Sequence, residues 1–549
     1  MSSSNKIIEC VPNFSEGRDQ KVIDSISDAI RSVPGVRLLD VDPGASTNRT
    51  VYTFVGSPST IVQGALAAAR VAYQLIDMTK HKGSHPRMGA LDVCPFVPVS
   101  GVSVSECVAV SREFGSQLAE ELGVPVFLYG DASVKGDYRR TMPQIRAGEY
   151  EGLSDKLQQK EWEPDYGAAT FVPRWGATVT GVRKFLIAYN INMIATKEQA
   201  HRIALNLRSQ GRNDGKPGRL QHCQAIGWYL QEKNMAQISI NLTDFDVTPI
   251  HLAYEEACKD AAEMQLAVTG SEVVGLVPLQ SLIMAADYYI EKDKLFILEE
   301  EHKVQLAIHR LGLSQLSPFV PNDRIIEYCL SEGGGAERGV GPLGRGSVAQ
   351  LVKGVAARTP APGGGSVAAT VAALGSALGA MVGQLTYGKR QWDALESRMR
   401  TCIPPLHDAA MMLLPAIDDD TDAFSDYMSA CRLSSSTEPE KEVKAAAVQK
   451  AARTTVEVPL KVMRTVDGCW EALAQVASVG NINCKSDVQV GARCLETGSW
   501  GAYYNVIINL DNIEDKEERE AFKREAESLL QNATAQLKNV LDIAHKRTA

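Results

Sequence analysis

The stretch SEGGGAERGVGPLGR at 331–345 constrains this chain more than any other. It is rich in glycine, poor in hydrophobic residues, and separates two segments of different periodicity, so it reads as a linker. Before it, β-branched and aromatic runs alternate with helical patterns. After it, helical periodicity runs through 347–357, 366–387, 391–430, 438–478, 484–500 and 515–545, and period-two alternation returns only in NVIINL at 505–510. With 549 residues the chain is too long for one core. The expected fold is an α+β N-terminal half followed by an all-α helical bundle. The expected boundaries are 1–185 and 186–330 for two α+β subdomains, 331–346 for the linker and 347–549 for the bundle.

Within the first half the pattern predicts strand 6–10, helix 20–31, strands 36–41 and 50–55, helix 60–76 and strand 91–99. This β-α-β-β-α-β order is a split βαβ unit. Pro43-Gly44 is expected to break the second strand. A further helix at 105–122 and a strand at 125–129 extend the unit, and the chain then reads as irregular for some 30 residues after Tyr150. From Arg183 the same order repeats, and 279–311 reads as further helix. Two sheets with helices on one face each leave two bare faces. Facing each other, these make a cleft suited to a long, flat ligand.

The totals exclude some functions. A net charge of −9 disfavours a nucleic-acid partner. Eleven scattered cysteines, without a CxxC pair, suit a reducing compartment and give no zinc motif. MSSSNKIIECVPNF lacks the apolar core of a secretory signal. Ser366 to Tyr387 is apolar and long, but Ala, Gly and Ser dominate it, and Gly375, Gly379 and Gly383 form one stripe of a helix. A buried helix admitting a close neighbour is the expectation there, with no transmembrane segment.

Four stretches carry chemistry. In HKGSHPRMGALDV at 81–93, Pro86 and Gly89 oppose a regular helix, placing His85 and Arg87 on a loop before a strand. A histidine so held moves protons near neutral pH; the plainer reading is a solvated loop histidine. GAATFVPRWGATVTG at 167–181 puts Phe171 and Trp175 beside Arg174, a set able to stack on a heterocycle and hold an acidic tail, or else to fill a connector. PGGGS at 362–366 opens a helix and exposes backbone N–H groups to an anion, or is a turn with a serine cap. In IDDDTDAF at 417–424, Asp420 shares a stripe with Leu413, Ile417, Phe424, Tyr427 and Cys431, while Asp418, Asp419 and Asp422 project elsewhere. A solvated acidic face explains those three and leaves Asp420 as a carboxyl group on an apolar face, where its pKa rises.

ECVPNFSEGR at 9–18, DVDPGASTNRTVYTFVG at 40–56, HPRMGALDVCPFVPV at 85–99, APGGGSVAA at 361–369, LTYGKR at 385–390 and DDDTDAF at 418–424 together resemble the formimidoyltransferase-cyclodeaminase family. The likeness covers nearly the whole chain, in consistent order. It implies a bifunctional enzyme of histidine degradation, with polyglutamated tetrahydrofolate as co-substrate and no metal. One activity transfers the formimidoyl group from N-formimidoyl-L-glutamate to tetrahydrofolate. The other cyclises 5-formimidoyltetrahydrofolate to 5,10-methenyltetrahydrofolate and releases ammonia. The resemblance makes His85 and Asp420 the catalytic residues, and Gly167, Ala168, Ala169, Thr170, Phe171, Val172, Pro173, Arg174, Trp175 and Gly176 the folate-binding segment. Asp40 or Asp42 is expected to orient His85, with Arg87 near the glutamate carboxylates. The family further implies a homo-oligomer, an octameric ring, in the cytosol, with Golgi and centrosome association and binding to vimentin filaments. A single-activity transferase, a methenyltetrahydrofolate cyclohydrolase and a Golgi- or vimentin-associated scaffold are the alternatives.

Overall fold

Runs of β-branched and aromatic residues set the strands of the first region, and the computed structural model shows how they pair. It describes residues 6–45, 47–83, 86–136, 138, 140–212, 215–330 and 340–547. The chain falls into two units divided at 336/337. In the first, β1 (Ile7–Cys10), β2 (Asn13–Phe14), β3 (Val36–Gly44), β4 (Arg49–Gly56), β5 (Leu91–Ser100), β6 (Val126–Gly130) and β7 (Thr178–Val182) form a seven-stranded sheet. Its antiparallel part runs β3-β4-β1-β5, and β7 and β6 add to the β5 edge in parallel. The helices Gln20–Arg31, Ile61–Leu75 and Val104–Leu122 cover one face, where Ile26, Ala69 and Phe114 share a core with Ile8, Cys10, Phe54 and Phe96.

Successive strand residues point to opposite faces. Val55 and Val97, neighbours of Phe54 and Phe96, therefore point away from these helices, and they belong to the core of the following subdomain. That subdomain comprises β8 (Ile187–Ile194), β9 (Cys223–Leu230), β10 (Met235–Leu242) and β11 (Ala267–Val274), an antiparallel sheet ordered β11-β8-β10-β9. Tyr189, Ile191 and Ile238 pack under helices Lys197–Leu207, Ile250–Glu263, Leu279–Asp293 and Glu300–Leu311. Numbering the strands within each repeat, both sheets have the order 2-3-1-4, so the repeated element order is a repeated topology. The helix-free face of the first sheet thus meets the second subdomain at its Val55 and Val97 end.

Three sequence expectations differ from the structure. β3 continues through Pro43 and Gly44, because it pairs with β4 alone and an edge strand tolerates a proline without an N–H. β7 lies inside the stretch read as irregular: its sequence, TVTGV, offers little alternation, and pairing with β5 and β6 supplies what propensity does not. NVIINL closes the helix Lys485–Leu510, and the buried residues Val506 and Leu510 stand four apart, the helical repeat.

The second unit is helical: Val348–Val355, Gly364–Thr386, Glu396–Cys431, Glu438–Asp467, Trp470–Val479, Lys485–Leu510 and Lys516–Lys546. Gly364–Thr386 is long and apolar enough to cross a membrane, yet its glycine stripe is covered from within the unit. A Cβ on Gly375 would stand 2.8 Å from the Gly491 carbonyl oxygen, one on Gly379 3.0 Å from Leu473, and one on Gly383 2.6 Å from Ile403. The stripe is therefore a contact inside one chain. Because the obstacle at Gly375 is backbone, Gly375→Leu is expected to destabilise the second unit by about 1–3 kcal/mol or more. Thermal unfolding followed by calorimetry checks this, and an unchanged transition would show that the Lys485–Leu510 helix yields freely.

Candidate active sites

Ser84 and His85 lie outside the described residues, so the first site is built from what flanks them. His81 Nε2–H donates to the Asn48 carbonyl (2.8 Å) and its Nδ1 accepts from Arg87 Nε (3.1 Å), a pairing that requires the neutral ring. Burial holds its pKa below the usual value; the Asn48 carbonyl opposes that, and the Arg87 charge adds to it. Arg87 donates to both oxygens of Glu151 (2.9 and 2.7 Å), reaches Glu149 (3.4 Å) and lies over the Tyr150 ring. It is thus already held by carboxylates of this chain. Asp40 and Asp42 are exposed on β3.

The segment 167–176 is tied to the same loop. Met78 N–H donates to the Arg174 carbonyl, Ala90 N–H to that of Trp175, and Gly176 pairs with Gly89. Gly176 has φ +82°, and a Cβ there would strike the Met88 carbonyl at 2.1 Å. Trp175 is 1% exposed: its Nε1 donates to Thr178 Oγ1 (3.0 Å), and its ring packs beside Tyr73. This withdraws the expected stacking aromatic into the core. Gly167, Ala168, Ala169, Thr170, Pro173 and Arg174 are exposed, Val172 is half-buried, and half-buried Phe171 lies 5.5 Å from the Tyr150 ring. Two stretches separate in sequence therefore border one place, on Tyr150 and Arg87.

Sequence reading missed the polar groups on the helix-free face of the first sheet. Asp92 is buried in β5; its Oδ1 accepts from Met88 N–H (2.8 Å) and its Oδ2 from Arg146 Nη2 (2.6 Å). Arg49 donates to Asn13 Oδ1 (2.8 Å). Glu9 is buried, and burial raises its pKa to about 7 against the opposing charge of Arg183. An aspartate inside the apolar run LDVCPFV was the one available signal. Arg146, some fifty residues away, carried none.

In the second unit, Asp420 Oδ2 accepts from Ser366 N–H (3.1 Å) at the start of the Gly364–Thr386 helix, with Ser366 Oγ 3.4 Å away and bonded to the Ile417 carbonyl. The anion that PGGGS awaits is thus supplied by the chain itself. A Cβ on Gly365 would lie 1.9 Å from Asp420 Oδ1, which explains a glycine beyond the needs of a cap. Burial raises the Asp420 pKa, opposed by the bonds from Ser366. Asp420 itself is half-buried, and Asp418, expected to project elsewhere, is the buried carboxylate of the cluster: Leu343 and Gly344 N–H groups, at a short helix Pro342–Arg345, donate to its two oxygens (2.8 and 3.0 Å). Those amides come from outside the Glu396–Cys431 helix, and no helical wheel contains them. Asp419 is half-buried and Asp422 exposed, and burial raises both pKa values.

The chain matches family models over both units: "Formiminotransferase domain, N-terminal subdomain" over 7–183, "Formiminotransferase domain" over 188–331 and "Formiminotransferase-cyclodeaminase" over 347–528. It is 56% identical over 537 residues to the formimidoyltransferase-cyclodeaminase of Rattus norvegicus, covering 98% of each chain. This chain belongs to the formimidoyltransferase-cyclodeaminase family. Proteins named for one activity resemble parts of it. The glutamate formimidoyltransferase of Streptococcus pyogenes is 40% identical over 308 residues, 56% of this chain and 99% of that one. The methenyltetrahydrofolate cyclohydrolase of Methylorubrum extorquens is 33% identical over 192 residues, 35% of this chain and 92% of that one.

Within the formimidoyltransferase unit, buried Trp175 and half-buried Phe171 are expected to behave differently. Trp175→Ala should cost about 3–5 kcal/mol of stability, the range for a large aromatic in a core. Phe171→Ala should cost clearly less and act on folate affinity instead. Denaturant unfolding and folate calorimetry on both variants separate the two effects, and a fully stable Trp175→Ala enzyme with weakened folate binding would return Trp175 to the ligand.

Proposed function

We propose that this protein is a bifunctional folate enzyme of histidine degradation, with the transferase in the first unit and the cyclodeaminase in the second. The observation that carries this reading is that family models for both activities match successive, separately folded parts of one chain. In the transferase, N5 of tetrahydrofolate attacks the formimidoyl carbon, and the glutamate nitrogen leaves from the tetrahedral centre. N5 must lose a proton and the leaving nitrogen must gain one. His85 serves as that acid and base; on either side of it in sequence, His81 and Arg87 are bonded to each other, and His81 to Asn48. The exposed residues between Gly167 and Arg174 receive the folate. In the cyclodeaminase, N10 attacks the formimidoyl carbon, its proton passes to the departing nitrogen, and ammonia leaves. Asp420 carries that proton: its raised pKa brings it nearer to neutrality than an ordinary carboxyl group.

The polyglutamate tail, the octameric ring, the cytosolic location with Golgi and centrosome association, and the binding of vimentin filaments belong to the same proposal and rest on the family resemblance. A second reading of the helical unit, a methenyltetrahydrofolate cyclohydrolase, draws on its likeness to the Methylorubrum extorquens protein. Ammonia release from supplied 5-formimidoyltetrahydrofolate separates the two, because a cyclohydrolase acting alone liberates none.

His85→Ala is expected to lower transferase turnover about a hundredfold or more, the scale of general acid–base catalysis, while cyclodeaminase activity persists. Asp420→Asn should do the reverse, abolishing methenyltetrahydrofolate formation. The pH dependence has a definite sign. Asp420 must be ionised to accept the N10 proton, so cyclodeaminase activity falls as pH drops through its pKa, and burial shifts this limb upward from that of a solvated aspartate. A limb at the ordinary value would mean that the rate-determining proton carrier is a solvated acid.

A further inference from the structure

We infer that Arg146, together with Arg49, binds a carboxylate of the glutamate moiety of the formimidoyl donor; this rests on the transferase reading above. Arg87, the cation that the sequence offers for this task, is neutralised by Glu151 and Glu149. Arg146 is under-satisfied. Its Nη2 donates to Asp92, while its Nε, cut off from solvent, has no hydrogen-bond partner among the described residues. A buried donor without an acceptor is uncommon in a folded protein and calls for a ligand or another explanation.

The arginine is also held for use. Lys156, a buried ammonium, donates to the carbonyls of Ile145 (2.6 Å) and Ala147 (2.7 Å), one on each side of Arg146. Ile145, Leu153 and Leu157 pack on Phe127, Tyr129 and Val179 of the helix-free face, which brings Arg146 in over the sheet. Arg49 stands close enough that Asp92 and Arg146 both act on its charge. Two guanidinium groups around Asp92 repel one another, and a second carboxylate relieves that repulsion while accepting paired N–H donors.

The position favours the donor over the folate tail. Asn48, next to Arg49, receives His81 and donates to the Lys82 carbonyl, and Asp92 holds Met88 N–H, so both arginines attach to the loop that carries His85. The exposed 167–174 residues approach that loop through separate bonds, from Met78 and Ala90.

The test uses the full-length enzyme, with steady-state kinetics in both substrates. Arg146→Gln should raise the KM for N-formimidoyl-L-glutamate at least tenfold, Arg146→Lys should raise it less, and the KM for tetrahydrofolate should stay within twofold. Calorimetry with L-glutamate, the transferase product, should show the same loss of affinity. Arg49→Lys provides a second variant should Arg146→Gln fail to fold, as judged by circular dichroism, and its donor KM should rise likewise. An unchanged donor KM in soluble, folded variants overturns the inference, and so does a rise confined to tetrahydrofolate, which would assign the arginines to the folate's own glutamyl group. If the wild-type enzyme transfers no formimidoyl group at all, the transferase reading itself falls; if it does and the variants match it, only the present inference falls.

Discussion

A β-sheet with helices on one face still has to dispose of the other, and the first unit is organised by how it does so. On the second sheet, the helix-free face carries the amides of Asn190, Asn192 and Gln237 and the carboxylate of Glu272. Gln237 donates to Asn192 and Glu272, Asn190 donates to Glu272, and Trp228 donates to Gln237, so the buried polar groups are paired with one another. Such a network is tolerable because its members are satisfied, and it keeps the face from becoming one more hydrophobic layer.

On the first sheet the same face is divided. Val55 and Val97 join the neighbouring core, and the 142–157 segment lays Ile145, Leu153 and Leu157 over Phe127 and Val179. Between these apolar contacts stand Asn13, Arg49, Asp92 and Arg146, with Glu9 beside Val55 and Val97 in the strand register. Charged residues at such depth are tolerated when each has an opposite charge or a hydrogen-bond partner. Among the described residues the pairing is incomplete at Arg146 Nε, whereas Arg87 is engaged by Glu149 and Glu151.

The helical unit depends on a different constraint, close approach. Small residues along Gly364–Thr386 let the helices Glu396–Cys431 and Lys485–Leu510 come near enough that a side chain would collide with backbone or a packed aliphatic group. At the start of that helix the same economy of volume admits a carboxylate, since only glycine at 365 leaves room for Asp420. Burial and the helix N-terminus then pull the Asp420 pKa in opposite directions, and burial prevails. A group balanced between these effects is suited to taking up a proton and releasing it again.

The sequence by itself determined the change of architecture after the glycine-rich stretch and the two β-α-β-β-α-β repeats, because these follow from the periods of helix and strand; the stripe through Asp420 did not foresee that Asp418 is the more deeply buried carboxylate. The sequence also carried the family, in motifs spread along the chain. It left β7 unread and ended β3 early, because a Gly-containing strand and a proline in a strand are accommodated only through their neighbours. Whether Trp175 faces a ligand or the core depends on Tyr73 and Thr178, and whether Arg87 is available depends on Glu149 and Glu151. Arg146 meets Asp92 across 54 positions of chain, and Asp418 meets the amides of Leu343 and Gly344 across more than seventy. Local periodicity fixes which way a side chain points from its own helix or strand, and only tertiary packing fixes what waits there.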